Sequence, residues 1–153
     1  MEIVEIAAEK GAVCDRILRA LPDWFGIEQA IVDYVAGVAG LPMLGCRIEG
    51  EVAGFLSLKP HNEATVEIYV LGVLPDRHRR GIGRALVEAA DRHAGARGFR
   101  FLTVKTVSPT VDHEPYERTR RFYRALGFLP VEDMPNPCSP DNPLLLLIRP
   151  VTS

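Results

Sequence analysis

The segment Arg77–Arg84 concentrates positive charge where backbone N–H groups could also bind an anion. Its eight residues include four arginines, one histidine and two glycines, and no carboxylate. The segment lies between a strand-like run that ends at Leu74 and a helix-like run that begins at Gly83. The N-terminus of a helix exposes about four unpaired N–H groups and carries partial positive charge, so a phosphate placed there is stabilised twice. Because glycines let the backbone approach phosphate oxygens closely, the segment predicts a phosphate-binding turn.

Two familiar phosphate motifs do not fit this segment. A P-loop requires GxxxxGK[ST], which the chain lacks, and a dinucleotide-binding turn requires a third glycine where this chain has Leu86. The arginines could also belong to a solvated surface loop or to a basic helix that binds nucleic acid. The formal net charge of -2 and the apolar residues spaced through the following helix argue against nucleic acid.

The turn and its surroundings resemble one enzyme family. His78–Gly83 contains the sequence HRRGIG, which is similar to the Q/R-x-x-G-x-G/A signature of the GCN5-related N-acetyltransferases (GNAT). The segments Leu71–Pro75 before it and Arg121–Phe128 after it resemble the pattern of the same family in the same order. The resemblance covers about residues 65–128. It has one departure within the signature, since His78 stands where the family has Gln or Arg.

This resemblance implies acetyl-CoA as the co-substrate and indicates where it binds. The turn would hold the pyrophosphate, and the backbone of the preceding strand would hold the pantetheine arm and the thioester carbonyl. Ordinary ladder pairing of that strand is the alternative. Tyr116 stands by spacing where many family members carry an asparagine that contacts the cofactor, so its identity is a second departure. The predicted cofactor-binding residues are Leu71, Gly72, Val73, His78, Arg79, Arg80, Gly81, Ile82, Gly83, Arg84 and Tyr116.

The resemblance also implies a base and an acid for acetyl transfer. A primary ammonium group, with a pKa of about 10.4, must lose its proton before it attacks a thioester. Glu67, in an otherwise apolar strand, matches the general base of the family, and Tyr123 matches the tyrosine that protonates the departing thiolate. An outward-facing strand glutamate and a core tyrosine are the alternatives. Glu63, His61 and Glu114 are further candidates for the base.

The acceptor amine is expected on the side opposite the turn. Trp24 and Phe25, between the first two predicted helices, could form a pocket wall or pack beneath the loop. The candidate substrate-binding residues are Trp24, Phe25, His61 and Glu114. The carboxylates predicted to attract a cationic amine are Glu63, Glu67, Asp112, Glu114 and Glu117. A polyamine, an amino sugar, an amino acid and a protein amine all stay open as acceptors, and the proline-rich segment Met134–Pro143 could rim the pocket.

Hydrophobic periodicity predicts the elements that position these residues. The expected helices are Gly11–Ala20, Ile27–Ala39, Gly83–Ala96 and Tyr116–Leu126. The expected strands are Glu2–Ile6, Met43–Ile48, Glu51–Lys59, Thr65–Leu74, Phe101–Val107, Phe128–Glu132 and Leu144–Ile148. Antiparallel strands lead into a β-α-β unit. We therefore expect an α/β (α+β) fold with a single mixed, largely antiparallel central sheet flanked by helices on both faces.

Composition narrows the class of protein. The 153 residues, 47% hydrophobic and 25% charged, suit a single domain over residues 1–153. The longest unbroken apolar run, Leu144–Ile148, is far below the roughly 20 residues of a membrane span, and no signal peptide is predicted. Cys14, Cys46 and Cys138 are odd in number and lack zinc-ligand spacing, which indicates a reducing, cytoplasmic location and no metal site. We expect a monomer or homodimer with no nucleic-acid or membrane partner.

The resemblance to the GNAT family implies an acetyl-CoA-dependent N-acetyltransferase that passes acetyl directly to a primary amine of a small molecule or peptide. No cysteine lies in a nucleophile motif, so no covalent enzyme intermediate is expected. The alternative is a non-catalytic CoA-binding regulatory module of the same fold. Such a module would keep the phosphate turn but would not need Glu67 or Tyr123, and the presence of both residues favours the enzyme.

Overall fold

Seven β-strands and four α-helices form the protein, and the computed structural model describes all 153 residues. The strands are β1 (Glu2–Glu5), β2 (Met43–Ile48), β3 (Glu51–Pro60), β4 (Thr65–Val73), β5 (Phe101–Val107), β6 (Leu129–Met134) and β7 (Leu144–Pro150). The helices are α1 (Lys10–Arg19), α2 (Glu28–Gly37), α3 (Ile82–Ala96) and α4 (Glu114–Ala125). None of these helices is both long and apolar enough to cross a membrane.

One sheet contains all seven strands, in the order β1-β2-β3-β4-β5-β7-β6. β4 and β5 are parallel, and every other neighbouring pair is antiparallel. α3 makes the crossover that parallel neighbours require. The predicted mixed, largely antiparallel sheet is confirmed.

Each face of the sheet has its own buried core. On one face α1 and α2 bury Ile17 and Ile31 against the strands. On the other face α3 and α4 bury Leu86, Ala90 and Tyr123. Burial contributes about 1.5–3 kcal/mol for each large apolar side chain, so the two cores fix the helices firmly to the sheet. The predicted placement of helices on both faces is therefore confirmed.

A β-bulge in β4 changes which side chains face each core. Ser57 of β3 pairs with Val70, whereas the next residue, Leu58, pairs with Ile68, so Tyr69 is an extra residue in β4. Ile68 packs in the core beneath α3 and α4, and Val70 packs in the core beneath α1 and α2. The alternation of side chains along β4 is therefore shifted by one residue at the bulge.

β4 and β5 separate beyond the bulge. Their parallel pairing stops at Ile68 and Val104, although β5 continues to Val107 in contact with β7. The backbone groups of Tyr69–Val73 on the β5 side therefore have no ladder partner. Apart from the Val73 carbonyl oxygen, which accepts a hydrogen bond from His78, they are free for a ligand. The alternative prediction, ordinary ladder pairing along the whole of β4, is therefore wrong on the side that faces β5.

All four helices differ from their predicted bounds by one or two residues, and the differences are largest in α2 and α4. α2 ends at Gly37 and continues as a 3₁₀ turn to Gly40, so the predicted helix Ile27–Ala39 is too long at both ends. α4 begins at Glu114, ahead of its predicted start, because Pro115 occupies the first turn, where its missing N–H costs no hydrogen bond.

Candidate active site

The turn between β4 and α3 presents unpaired backbone N–H groups. Gly81 precedes the helix with a φ of 77°, in the left-handed region that glycine adopts at low cost. No side chain caps this helix, and its first backbone hydrogen bond runs from the Ala85 N–H to the Gly81 carbonyl oxygen at 3.0 Å. The N–H groups of Ile82, Gly83 and Arg84 stay free, which is the geometry that binds phosphate.

His78 closes this turn onto the strand before it. Its Nε2–H donates to the carbonyl oxygen of Val73 at 2.7 Å. Its ring also packs edge-on against Trp24, with 5.7 Å between the ring centroids. The histidine that departs from the family signature therefore shapes the turn through its side chain.

A cavity of about 500 Å³ lies in front of the turn. Four arginines line it and no carboxylate does, so its electrostatic environment suits an anion. The lining comes from the end of β4, the start of α3, the segment after α1 and one face of α4. The lining residues are Leu21, Trp24, Phe25, Leu71, Gly72, Val73, Arg77, His78, Arg79, Gly81, Ile82, Gly83, Arg84, Arg118, Thr119, Phe122 and Tyr123.

Two of the predicted cofactor-binding residues do not line this cavity. Arg80 is exposed on the turn. Tyr116 packs edge-on against His113 at the first turn of α4, with 4.4 Å between ring centroids. Tyr116 does share a helix face with Tyr123, but seven residues correspond to about 10 Å along a helix axis, which carries Tyr116 past the lining. All the other predicted cofactor-binding residues lie together in the cavity wall.

Residues of α4 that the sequence did not single out complete the lining. Arg118 and Thr119 lie one helical turn before Phe122 and Tyr123, and all four line the cavity. The spacing of four residues, from Thr119 to Tyr123 and from Arg118 to Phe122, is the signal that could have identified them. Arg118 therefore adds a cation to the anion-binding side from outside the β4–α3 turn.

Trp24 lines the cavity and also ties the segment after α1 to α4. Its Nε1–H donates to the carbonyl oxygen of Pro115 at 3.0 Å and to the Thr119 Oγ1 at 3.1 Å. The guanidinium carbon of Arg118 lies 5.1 Å from the centroid of the Trp24 ring. Trp24 therefore forms part of a pocket wall, but of the cavity that suits an anion, so its predicted contact with the acceptor stays a prediction.

Tyr123 belongs to the core beneath α3 and α4 and to the cavity wall. Its ring packs edge-on against Phe122 and Phe128, at centroid distances of 5.0 and 5.4 Å. The residue is 4% exposed. Burial raises the pKa of the Tyr123 hydroxyl, so the phenol keeps its proton through the neutral range and can donate it into the cavity.

Glu67 lies outside the cavity wall, near the start of β4. Its side chain is only 7% exposed, and its Oε1 lies 2.5 Å from the His61 Nε2. The same oxygen lies 3.7 Å from the Lys105 Nζ. The alternative of an outward-facing, solvated glutamate is therefore wrong, because this carboxylate is buried and paired.

His61 is held in a tight turn between β3 and β4. Its backbone N–H donates to the Thr65 carbonyl oxygen at 3.0 Å. Within the turn the Asn62 Oδ1 accepts hydrogen bonds from the N–H groups of Ala64 and Thr65, at 2.8 and 2.9 Å. These bonds present the imidazole of His61 to Glu67 from a defined position.

Three aromatic rings connect the cavity wall with Glu67. Phe25, which lines the cavity, packs edge-on against Tyr34 at 5.9 Å, and Tyr34 packs edge-on against Tyr69 at 5.2 Å. Burial, together with the neighbouring Tyr69 and Glu67, raises the pKa of Tyr34 to about 12. Tyr34 therefore stays neutral between the cavity and the buried carboxylate.

Not all the carboxylates predicted on the acceptor side gather there. Glu114 and Glu117 pair with Arg118 and Arg121 one turn later along α4, at 2.8 and 2.6 Å. The spacing of four residues on a helix brings these opposite charges together. Glu114 therefore lies beside the arginines of α4, and its role in substrate binding stays a prediction.

Comparison with known proteins identifies the family. A sequence profile of the Acetyltransferase (GNAT) family matches residues 14–128, the stretch that contains the turn, the cavity and Tyr123. The chain belongs to the GNAT family. The predicted resemblance is therefore confirmed.

Individual GNAT proteins are similar to the chain over different lengths. The mycothiol acetyltransferase of Stackebrandtia nassauensis is 34% identical over 119 residues, which cover 76% of this chain and 33% of that protein. The chain thus spans about a third of the length of this curated relative. An aminoglycoside 6′-N-acetyltransferase complexed with coenzyme A superposes with a TM-score of 0.78 at 18% identity, covering 100% of this chain and 98% of that one. A GNAT acetyltransferase from Elizabethkingia anophelis with acetyl-CoA bound gives 0.76 at 18% identity, with 97% of both chains covered.

GNAT acetyltransferases use acetyl-CoA, and the cavity of this chain fits that co-substrate. The free N–H groups and arginines suit a pyrophosphate, and the unpaired edge of β4 suits the amides of a pantetheine arm. Gly83 lets the ring of Phe122 pack closely against the start of α3, because a Cβ at this position would lie 3.0 Å from that ring. The residues that would hold the co-substrate therefore agree with the family to which the chain belongs.

Proposed function

We propose that this GNAT chain transfers an acetyl group from acetyl-CoA directly to a primary amine of a small molecule or peptide. The observation that carries the proposal is the cavity, which combines arginines and free helix N–H groups with the phenol of Tyr123. A binding module would need the turn and the arginines. It would have no use for a proton donor at the place where the sulfur leaves.

The cofactor side of the site would work mainly through backbone groups. The free N–H groups at the start of α3 would bind the pyrophosphate, assisted by the neighbouring arginines. The unpaired edge at Leu71–Val73 would receive the pantetheine arm and the thioester carbonyl. An N–H donated to the developing oxyanion contributes about 3 kcal/mol in comparable acyl transfers.

Direct transfer also needs two proton movements. The acceptor amine must lose a proton before it attacks, and the buried pair of Glu67 and His61 is the group on the acceptor side that can take it. The sulfur must gain a proton or a hydrogen bond as the C–S bond breaks, and Tyr123 lies in the cavity wall to supply it. In this proposal Glu67, together with His61, and Tyr123 would supply the two roles predicted from the sequence.

A small-molecule amine is the acceptor that the similar proteins favour. The names of two of them specify mycothiol and an aminoglycoside. The aromatic contacts from Phe25 through Tyr34 to Tyr69 would form one wall of the acceptor pocket. A cytoplasmic location and a monomeric or homodimeric state stay predictions from the sequence.

The proposal is tested by calorimetric titration with acetyl-CoA, followed by thiol release over a panel of amines. The panel contains an amino sugar, a polyamine, an amino acid and a short peptide. We expect acetyl-CoA to bind and at least one class of amine to accelerate thiol release above background hydrolysis. Binding without any amine-dependent release would favour the regulatory module. Absence of binding at millimolar acetyl-CoA would overturn the proposal.

A further inference from the structure

His61 and Glu67 form a carboxylate–imidazole pair in which only one member is accessible. The side chain of Glu67 is 7% exposed, and that of His61 is 37% exposed. The contact joins the Glu67 Oε1 to the His61 Nε2 at 2.5 Å, so the other ring nitrogen, Nδ1, is the one left for a substrate. The buried carboxylate can therefore orient the ring while the ring meets the acceptor.

The groups around the pair come from several elements of the fold. Lys105 of β5 lies beside the same carboxylate oxygen, 3.7 Å away. Tyr34 of α2 and Tyr69 of β4 are close enough for the charge of Glu67 to act on their hydroxyls. Beyond them Lys59 lies over the ring of Tyr69, and Asp33 acts on its hydroxyl.

An ionised carboxylate only accepts hydrogen bonds, so the His61 Nε2 must carry the hydrogen that the two atoms share. In the neutral ring Nδ1 then keeps its lone pair. The same arrangement in hydrolases lets a buried carboxylate hold an imidazole in the tautomer that acts as a base. An imidazole is also the side chain that exchanges a proton most readily near neutral pH.

We infer that the Nδ1 of His61 removes the proton from the acceptor amine and that Glu67 is a positioning residue for His61. This inference rests on the proposed function and reassigns the proton-accepting atom from the carboxylate to the imidazole. Of the roles that the sequence left open for His61, a substrate contact and an alternative base, this inference selects the base and pairs it with Glu67.

The protons and electrons of this reaction can each be accounted for. Nδ1 takes a proton from the substrate ammonium, leaving a neutral amine and an imidazolium ion. The nitrogen lone pair forms the N–C bond, the electrons of the C–S bond pass to sulfur, and the sulfur takes the proton of the Tyr123 hydroxyl. The second proton lost by the nitrogen restores Tyr123 through solvent, and the imidazolium releases its proton to water. One proton is released in each turnover.

The first test replaces His61 with glutamine, which can still bond Glu67 but cannot take a proton near neutral pH. With the best amine of the panel, we expect His61→Gln to lower kcat/KM at pH 7 by about 100-fold, while the Kd of acetyl-CoA changes by less than about twofold. The acid-side fall of kcat/KM that a titrating imidazole produces should also disappear. A wild-type kcat/KM in His61→Gln, with Glu67→Gln inactive, would overturn the inference and leave the proposed function standing.

Chemical rescue separates a proton-transfer role from a structural one. Added imidazole should restore part of the rate of His61→Ala in a saturable manner, and it should not accelerate the wild type or Glu67→Gln. A lack of rescue in a folded His61→Ala protein would count against the inference. Thermal unfolding of each variant verifies the fold.

Nitrogen-15 NMR of the histidine rings needs no acceptor at all. We expect His61 in the wild type to carry its hydrogen on Nε2, and Glu67→Gln to shift the population toward the other tautomer. A predominant Nδ1–H tautomer in the wild type would overturn the inference. Failure of the proposed function would look different, since the wild type would then release no thiol with any amine.

Discussion

The two sides of the proposed site are built from different chemical groups. The cofactor side, meaning the β4–α3 turn and the cavity in front of it, uses backbone N–H groups and arginines. The acceptor side, meaning Glu67, His61, Lys105, Tyr34 and Tyr69, uses side chains from α2, the β3–β4 turn, β4 and β5. A site made from contiguous backbone tolerates variation in side chains, whereas a site made from converging side chains depends on each of them.

β4 serves both sides, and its bulge separates them. Glu67 precedes the extra residue Tyr69, and Leu71–Val73 follow it. Each side also has a different helix packed against it, α3 for the cofactor and α2 for the acceptor. A substitution on one side should therefore leave ligand binding on the other side unchanged. The following variants test that independence through the Kd of acetyl-CoA and the KM of the amine.

The largest effect is expected at the point where the two sides meet. Tyr123→Phe should lower kcat by about 100- to 1000-fold, because the departing sulfur loses its proton donor. The Kd of acetyl-CoA and the thermal unfolding midpoint should change little, since the ring keeps its packing against Phe122 and Phe128. Steady-state kinetics, calorimetry and thermal unfolding check this. An unchanged kcat would remove Tyr123 from the reaction.

A glycine substitution tests the cofactor side alone. Gly81→Asp should weaken acetyl-CoA binding by about 100-fold, or close to 3 kcal/mol, because it places an anion in the phosphate turn. Gly98→Asp is the matched control, since Gly98 has a φ of 81° against 77° at Gly81 and neither site has an atom within 4 Å of an added Cβ. The two variants should lose similar stability. Equal Kd values in the two would mean that the pyrophosphate binds elsewhere.

A second glycine pair tests the acceptor side alone. A Cβ at Gly37 would collide with the Tyr69 hydroxyl, whereas a Cβ at Gly40 would meet nothing within 4 Å. Gly37→Ala should therefore move Tyr69 and raise the KM for the amine by about tenfold, which corresponds to about 1.4 kcal/mol. The Kd of acetyl-CoA should be unchanged, and Gly40→Ala should resemble the wild type. A loss of acetyl-CoA affinity in Gly37→Ala would show that the two sides are coupled.

The smallest effect on acetyl-CoA binding and on catalysis is expected from a substitution far from both sides of the site. Asp91 of α3 is buried, where desolvation raises its pKa, but hydrogen bonds from Ser153, Thr152 and Arg149 outweigh this and hold the pKa below its ordinary value. The Asp91 carboxylate lies 3.1 Å from Arg149. Asp91→Asn should lower the free energy of unfolding by about 3 kcal/mol, because it leaves the charge of Arg149 poorly compensated.

The pH dependence of this stabilisation follows from the direction of the shift. A carboxyl group whose pKa is lower in the folded state stabilises the fold fully above its unfolded pKa and loses that contribution as the pH falls through the folded one. The stability advantage of the wild type over Asp91→Asn should thus be constant from pH 8 to about pH 5 and shrink below the ordinary value of 3.8. Denaturant titrations at several pH values measure it. An altered kcat, or an altered Kd of acetyl-CoA, in Asp91→Asn at pH 7 would contradict the separation of Asp91 and its partners from the site.

The sequence predicted the cofactor side better than the acceptor side. HRRGIG, the strand before it and the helix after it are contiguous, so their local order already determines a phosphate turn. Arg118 and Thr119 were missed because they line the cavity only through the face of α4 that meets it, and the sequence does not show which face that is. Tyr116 was placed on the correct helix face, but its distance along the axis takes it out of the lining.

The contacts on the acceptor side could not be predicted from the sequence. Glu67 was singled out as a carboxylate in an apolar strand, but its burial and its partners were not visible. His61 reaches it across the β3–β4 turn, and Lys105 comes from a strand that lies beside β4 only after the crossover through α3. The pattern of apolar residues in the sequence does not indicate the bulge at Tyr69.

The family, the sheet with helices on both faces and the turn expected to bind a pyrophosphate could all be predicted from the amino-acid sequence. Each of these follows from local periodicity or from residues adjacent in the chain, whose backbone geometry is set by near neighbours. Only the tertiary structure decided that β4 and β5 separate after Ile68 and that a buried carboxylate is paired with an accessible imidazole. Those features depend on strand register and on the packing of distant elements, since the free energy that fixes them comes from contacts between residues far apart in the chain.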